Sequence, residues 1–123
     1  MRTGQLYING RKHGTAGIAD SFFLRLRGML GREFSDFDAL LIRPCFSIHS
    51  MFMAYPIDAL FLNSDCEIVK IASNLEPWRT YVGAKNAKSI IELPAGKAEE
   101  WNLREGDRIS VEGDRQCVKE RKQ

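Results

Sequence analysis

The sequence predicts a mixed α+β domain, in which a β-rich curled sheet or open barrel has two short helices packed on it. Three observations indicate this class. Short apolar runs outnumber helical patterns along the 123 residues, turn residues separate those runs throughout, and the two helical patterns stand apart from the strands. No repeat or linker divides the chain, so we expect one domain over residues 1–113 and a basic tail over residues 114–123.

The chain begins with a predicted β-hairpin. Gln5–Ile8 is a short run typical of a strand, and Asn9 followed by Gly10 is a strong turn signal. A weaker strand is expected after Lys12, and it would pair with the first.

A helix is predicted next, with Asp20 or Ser21 as its N-cap and its end near Leu30. Gly31 is expected to stop the helix, because a left-handed residue is favoured at that position. Gly28 would then lie inside the helix. Apolar residues recur at helical spacing and predict one buried face. That face consists of Phe22, Phe23, Leu26, Met29 and Leu30.

The rest of the chain is predicted to be mostly β-structure, because its apolar runs are short and bounded by turn residues. The predicted strands are Ala39–Arg43, Ile48–Met53, Ile57–Leu62, Glu67–Ala72, Ser89–Leu93 and Arg108–Glu112. The third and fourth of these form the clearest hairpin in the sequence. Residues 74–81 are predicted to be a loop, and Lys97–Asn102 a second short helix.

Composition argues against several classes of function. The chain has 18 Lys+Arg and 16 Asp+Glu, and its net charge of +2 is too small to indicate a polyanionic partner. No apolar run approaches the ~20 residues that a membrane span needs. Cys45, Cys66 and Cys117 form no CxxC pair, which favours reduced thiols. We therefore expect a soluble, cytoplasmic monomer that binds neither nucleic acid nor membrane.

Residues 45–58 concentrate the unusual side chains of this sequence, including one of its two histidines. One interpretation is a cysteine-dependent hydrolase, with Cys45 as nucleophile, His49 as base and Asp58 orienting the histidine. Along a strand, four residues separate two Cα atoms by roughly 13 Å. Cys45 and His49 could therefore meet only if the chain between them folds back as a loop.

A second interpretation of the same segment is a soft-metal site. His49, Met51 and Met53 would point to one face of the predicted strand, and imidazole and thioether ligands suit copper(I). Alternating methionines on a strand are also common as core filling.

A third interpretation, our leading functional hypothesis, is a non-enzymatic accessory domain that binds a small ligand or a peptide segment. Its candidate binding residues are Arg43, Cys45, His49, Ser50, Asp58, Arg79 and Glu92. No catalytic residue, metal ligand or cofactor is assigned. In a purely structural interpretation, the cysteine and methionines belong to the hydrophobic core, and each polar side chain has an ordinary hydrogen-bond partner.

Two acidic residues lie beside apolar strand runs and are expected to be partly buried. These are Asp58 and Glu92. A buried carboxylate needs a partner, and Arg43 or Arg79 is the expected one.

Blocks of residues spread along most of the chain resemble the domain of unknown function 192 family of bacteria and archaea. The blocks are Arg27–Gly31, Leu41–Cys45, Ile48–Met53, Tyr55–Asp58 with Phe61–Leu62, Gly83–Ala84, Ile91–Gly96 and Gly106–Asp107. The resemblance implies a compact, β-rich α+β fold and no assigned activity, substrate or cofactor. Many members carry a Trp-Met-Lys-Asn-like stretch in place of the Cys/His block, so chemistry specific to Cys45 or His49 would not be shared by the family. Cys66 stands where a turn glycine is usual, which implies an atypical hairpin.

Overall fold

Short strands separated by tight turns build most of the protein. The computed structural model describes residues 1–29, 34–35, 37–51, 53–114 and 116, with the backbone alone for Phe22 and Leu26. The strands in these ranges are β1 (Arg2–Ile8), β2 (Arg11–Ala19), β3 (Ala39–Ile42), β4 (Ser47–Ile48), β5 (Ile57–Leu62), β6 (Ile68–Leu75), β7 (Val82–Gly83), β8 (Ser89–Pro94) and β9 (Ile109–Val111). The helices are α1 (Phe22–Arg27) and α2 (Lys97–Glu100). The predicted α+β class is confirmed.

The main sheet has seven strands in the order β6-β5-β8-β3-β2-β1-β9, and β4 pairs separately with β7. Strands β2 and β3 are parallel neighbours, so the connection that contains α1 is a crossover. The sheet curls until its two edges approach each other. The amide of Ile109 donates to the carbonyl of Cys66 over 2.9 Å, and the amide of Ile68 donates to the carbonyl of Asp107 over 2.9 Å. The result is a half-barrel.

Each face of the curled sheet carries its own apolar cluster, because successive side chains of a strand point to opposite faces. The inner cluster draws on strands all around the sheet, and α2 joins it through Ala98. The outer cluster includes Leu40, Ile42 and Phe61, and Met29 packs into it from the end of α1. The outer face is the one that positions the candidate site described below.

Both predicted hairpins are present. Strands β1 and β2 pair on either side of Asn9 and Gly10, whose φ angles are 50° and 82°. In the β5–β6 hairpin, Cys66 has a φ of 62°, which is the left-handed region where glycine is favoured. The side-chain oxygen of Asn63 accepts hydrogen bonds from the amides of Asp65 and Glu67 and thereby holds this turn. Cys66 thus takes the left-handed conformation that a turn glycine adopts readily.

Helix α1 starts where predicted and ends earlier. The hydroxyl of Ser21 accepts a hydrogen bond from the amide of Leu24 over 3.2 Å, as expected of an N-cap. Gly28, with a φ of 52°, is the C-cap residue, so the prediction of an internal glycine is wrong. Phe23 is 77% exposed and does not belong to a buried face. The predicted positions Leu30 and Gly31, and the side chains of Phe22 and Leu26, lie outside the described residues.

The predicted strand Ile48–Met53 is wrong over most of its length. Only Ser47–Ile48 is a strand, paired with Val82–Gly83 of β7, which the sequence did not predict. The amide of Met53 donates back to the carbonyl of Ser50 over 3.2 Å, so the chain turns instead of continuing extended. Phe52 lies outside the described residues.

The sequence predicted reduced thiols, and this is wrong for Cys66, which is disulfide-bonded. Cys45 is a free thiol. Sequence spacing alone does not show which cysteines of a folded chain come together. Within the described ranges, no helix has the length and apolar character that crossing a lipid bilayer requires.

Candidate ligand-binding cavity

A cavity of about 150 Å³ lies on the outer face of the sheet, between the end of α1 and the segment that follows β3. Its described apolar lining includes Met29, Ile42, Ile48, Met51 and Met53. Its described polar lining includes Arg25, Cys45, His49 and Glu92. A mostly apolar pocket with a few polar groups is the usual composition of a small-ligand site.

Glu92 is placed at this cavity by the register of the sheet. On its two neighbouring strands the directly opposed residues are Leu40 and Ala59, both members of the outer cluster. Residues opposed in this way share a face, so Glu92 also points outward. The side chain is nevertheless buried, with the residue only 4% exposed, because α1 and the segment after β3 cover it.

The carboxyl group of Glu92 is only partly satisfied. The amide of Met29 donates a hydrogen bond to it, while its Oε1 atom is buried and has no hydrogen-bond partner within the described chain. Burial raises the pKa of Glu92 to about 7, because removing water disfavours the charged form more than the Met29 amide favours it. Near neutral pH, both protonation states of the carboxyl group are therefore populated.

Gly28 allows the backbone of α1 to pass close to this carboxyl group. A Cβ atom at Gly28 would lie 3.2 Å from Glu92 Oε1 and 3.7 Å from the Cδ1 atom of Ile42. Together with the positive φ, this approach explains why a glycine ends the helix here.

Arg25 provides a second buried polar atom beside the same cavity. Its Nη1 atom donates to the carbonyl of Pro44 over 3.2 Å, and its Nε atom is buried without a partner among the described residues. The cavity lining thus includes a carboxyl oxygen and a guanidinium N–H that are both unpaired.

Cys45 and His49 line the cavity but are not arranged for nucleophilic catalysis. The Cys45 thiol donates to the carbonyl of Ser47 over 3.0 Å, and no hydrogen bond between Cys45 and His49 occurs in the described structure. Burial, assisted by the nearby Glu92 carboxylate, raises the pKa of the Cys45 thiol above its usual value. A nucleophilic cysteine needs the opposite change, so this geometry does not support the hydrolase hypothesis.

We expect the Cys45 thiol to react slowly with iodoacetamide, with a rate that keeps rising beyond pH 9 because the thiolate fraction stays small. The rate is measured on the folded protein between pH 6 and 10, and a Cys45→Ser variant corrects for labelling elsewhere. A rate that reaches a plateau below pH 8 would show an activated thiol and contradict this expectation.

The soft-metal hypothesis depended on alternation along a strand, and that strand is not formed at His49, Met51 or Met53. Residue 51 lies in a turn, so the expected one-sided ligand set is not produced by strand geometry. Among the described residues, no three His, Cys, Asp or Glu side chains cluster as metal ligands.

Asp58 lies on the other side of the sheet from the cavity. Its directly opposed neighbour on β8 is Leu93, a member of the inner cluster. One carboxylate oxygen accepts from the amide of Asn74 over 2.7 Å, and the other accepts from Gly96 over 3.0 Å and Ala98 over 2.9 Å. The prediction of an arginine partner for Asp58 is therefore wrong, because main-chain amides donate hydrogen bonds to both of its carboxylate oxygens.

Arg43 also lies apart from the cavity. Its Nε atom forms a 2.9 Å ion pair with Asp114, which is 5% exposed, and its Nη2 atom donates to Ser89 over 3.2 Å. Asp114, the first residue of the predicted tail, is thus packed against the domain.

Ser50 and Arg79 connect two loops. The Ser50 hydroxyl donates to the carbonyl of Glu76 over 2.5 Å and accepts from the amide of Arg79 over 2.9 Å. Ser50 is fully buried, and the side chain of Arg79 is exposed. These bonds hold the segment after β4 in place, next to the cavity but outside its described lining.

Of the predicted site residues, the structure brings Cys45, His49 and Glu92 together and places the others elsewhere. Sequence reasoning missed Arg25 and Gly28 as parts of the site. One signal was present, since a glycine inside a predicted helix calls for a close neighbour as its explanation.

A curled half-barrel sheet with two short helices is the fold that defines the class of protein. The chain belongs to the DUF192 family, whose model, described as Uncharacterized ACR, matches residues 5–111. A UPF0127 protein of Thermococcus sibiricus is 38% identical over 112 residues, covering 85% of this chain and 72% of the relative. The UPF0127 protein PF1050 of Pyrococcus furiosus is 36% identical over 97 residues, covering 75% of this chain and 82% of the relative.

Two solved structures share the fold. A protein of Sinorhizobium meliloti 1021, which carries a provisional transcription-regulator name, superposes with a TM-score of 0.80 at 22% identity, covering 92% of this chain and 96% of that one. A protein of unknown function from Novosphingobium aromaticivorans superposes with a TM-score of 0.75 at 19% identity, covering 86% of this chain and 83% of that one. At these identities the likeness shows the fold alone.

Proposed function

We propose that this protein is a non-enzymatic domain that binds a small molecule in the outer-face cavity. The observation that carries the proposal is the buried Oε1 atom of Glu92, which lacks a partner in the described chain and belongs to a residue that lines the cavity. A buried polar group left unsatisfied destabilises a fold by about 1–3 kcal/mol. A bound molecule that pairs with this atom would recover that free energy.

The size of the cavity supports a small molecule over a peptide segment. Its volume of about 150 Å³ equals that of an engineered protein cavity that binds benzene. A ligand of about six to ten non-hydrogen atoms would fill such a space, whereas a peptide could insert no more than one side chain.

The arrangement of acids and nucleophiles supports binding over catalysis. The Cys45 thiol is held by a carbonyl and its pKa is raised. Asp58, the other deeply buried acid of β5 and β8, faces the opposite side of the sheet. Glu92 therefore has no second carboxylate beside it among the described lining residues.

The proposal is tested with ring compounds of six to ten non-hydrogen atoms, including neutral, anionic and cationic members, titrated into 15N-labelled protein. We expect binders to shift the amide signals of residues 25–29 and 45–53. Two substitutions at Cys45 serve as a matched pair, since both remove the thiol. Cys45→Leu fills the cavity and should weaken binding at least tenfold, while Cys45→Ala leaves it open and should preserve binding.

Two outcomes would refute the proposal. The first is binding of equal strength to the Cys45→Leu and Cys45→Ala variants, which would place the compounds elsewhere. The second is an absence of shifts at residues 25–29 and 45–53 with every compound in the panel.

A further inference from the structure

Resting on the proposed cavity, we infer that its ligand is a small carboxylate whose anionic group lies between Arg25 and Glu92 and whose apolar body contacts the methionine and isoleucine side chains. The inference is carried by two features of the lining: the balance of its charges, and the unpaired hydrogen-bonding atoms of these two residues.

The charges of the described lining favour an anion. Arg25 and Arg27 are permanently cationic, and Glu92 is the only acidic residue in this part of the lining. A cationic ligand would be repelled by the Arg25 guanidinium group, whereas a neutral ligand would gain a hydrogen bond from it but no net Coulomb attraction. A low dielectric constant in the cavity strengthens this preference for an anion over a cation.

The unpaired atoms favour a group that only accepts hydrogen bonds. Arg25 Nε carries a hydrogen and can only donate. Because the Met29 amide already donates to the Glu92 carboxyl group, the unpaired Oε1 atom is the natural position for the proton when that group is neutral. Glu92 can then donate as well. The two oxygens of a carboxylate accept one hydrogen bond from each residue.

This arrangement predicts that binding requires the proton on Glu92. The other titratable or charged groups of the described lining are Arg25, Arg27, Cys45 and His49. Burial places the pKa of Glu92 at about 7 in the free protein, and a bound anion would raise it further. Affinity for an anion should therefore fall about tenfold for each pH unit above the pKa of the free protein.

Benzoate, benzamide and benzamidinium test this inference, because they share one shape and carry charges of −1, 0 and +1. Each is titrated by NMR and calorimetry between pH 6.5 and 9. We expect benzoate to bind at least tenfold more tightly than the other two at pH 6.5, and its affinity to fall steadily above pH 7. A His49→Asn variant should show the same pH dependence, which would exclude His49 as its source.

Substitutions separate the two contacts. Glu92→Gln keeps a hydrogen-bond donor and has no proton to lose, so it should bind benzoate within about threefold of the wild type at pH 6.5 and without pH dependence. Arg25→Gln should weaken benzoate about tenfold and benzamide by clearly less, because benzamide loses a hydrogen bond but no Coulomb attraction. A purely structural effect would weaken both compounds equally. Arg104→Gln makes the same change in net charge outside the cavity lining and should change neither compound.

Tighter binding of benzamidinium than of benzoate would overturn the inference, as would loss of benzoate binding in Glu92→Gln at every pH. Failure of all three compounds to bind would overturn it as well. The proposed function would still stand if a neutral member of the larger panel bound in the cavity and was excluded by Cys45→Leu.

Discussion

Replacement of Asp58 by alanine is expected to lower the free energy of unfolding by about 3 kcal/mol, because three main-chain amides lose their acceptor and one of them, that of Ala98, is buried. The carboxylate is 1% exposed and accepts from the amides of Asn74, Gly96 and Ala98. Gly96 is the N-cap residue of α2 and has no side chain to cap the helix. Asp58 supplies that cap from a neighbouring strand.

The Asp58 prediction is measured by urea unfolding at neutral pH. Asp58→Asn retains one carbonyl oxygen and should lose about half as much stability, which provides a measurable variant if the alanine variant does not fold. Asp38→Ala is the matched control, since Asp38 is exposed and accepts from the single amide of Thr15. It should lose about 1 kcal/mol. Equal losses of unfolding free energy at both positions would show that accepting from three amides stabilises the fold no more than accepting from one.

Glu92→Gln is expected to remove a pH dependence of stability that amounts to about 3 kcal/mol. Burial raises the pKa of Glu92 from 4.5 to about 7 in the folded protein. Between these two values the folded state binds more protons than the unfolded state, so the wild type loses stability as pH rises from 4.5 to 7. Above pH 7 the contribution is constant, because both states are then ionised.

The measurement compares urea unfolding of the wild type and Glu92→Gln at half-unit steps from pH 4 to 8. Subtracting one curve from the other cancels the carboxylates and histidines that both proteins share. The free energy of unfolding of Glu92→Gln minus that of the wild type should increase as pH rises from 4 to 7. A difference that stays constant over the whole range would show that Glu92 titrates normally.

Much of the sheet could be predicted from sequence, because strand alternation and turn residues leave local signals. The predicted bounds of Ile57–Leu62 coincide with β5, and the Asn9–Gly10 turn joins β1 and β2 as expected. The segment Ile48–Met53 was misassigned because its apolar residues have the composition of a strand. The hydrogen bonds of Ser50 to residues 76 and 79 are distant in sequence, and they turn this segment into a loop.

The candidate site was less accessible to sequence reasoning. Asp58 and Glu92 were both recognised as acids beside apolar runs, but the sequence does not show which face each one occupies. That is decided by register, which sets Asp58 opposite Leu93 and Glu92 opposite Ala59. A shift of one residue in this pairing would exchange the two faces. Whether Arg25 lines the cavity depends likewise on where α1, the helix of the crossover, ends.

The alternation along β8 has a consequence for redesign of the protein. In this strand Ile91 and Leu93 belong to the inner cluster, whereas Ile90 and Glu92 are directed to the outer side. The proposed selectivity of the cavity and the packing of the inner cluster thus depend on alternate residues of one short strand. A substitution at Glu92 would therefore redesign the cavity while the inward side chains of Ile91 and Leu93, and the packing that they support, stay unchanged.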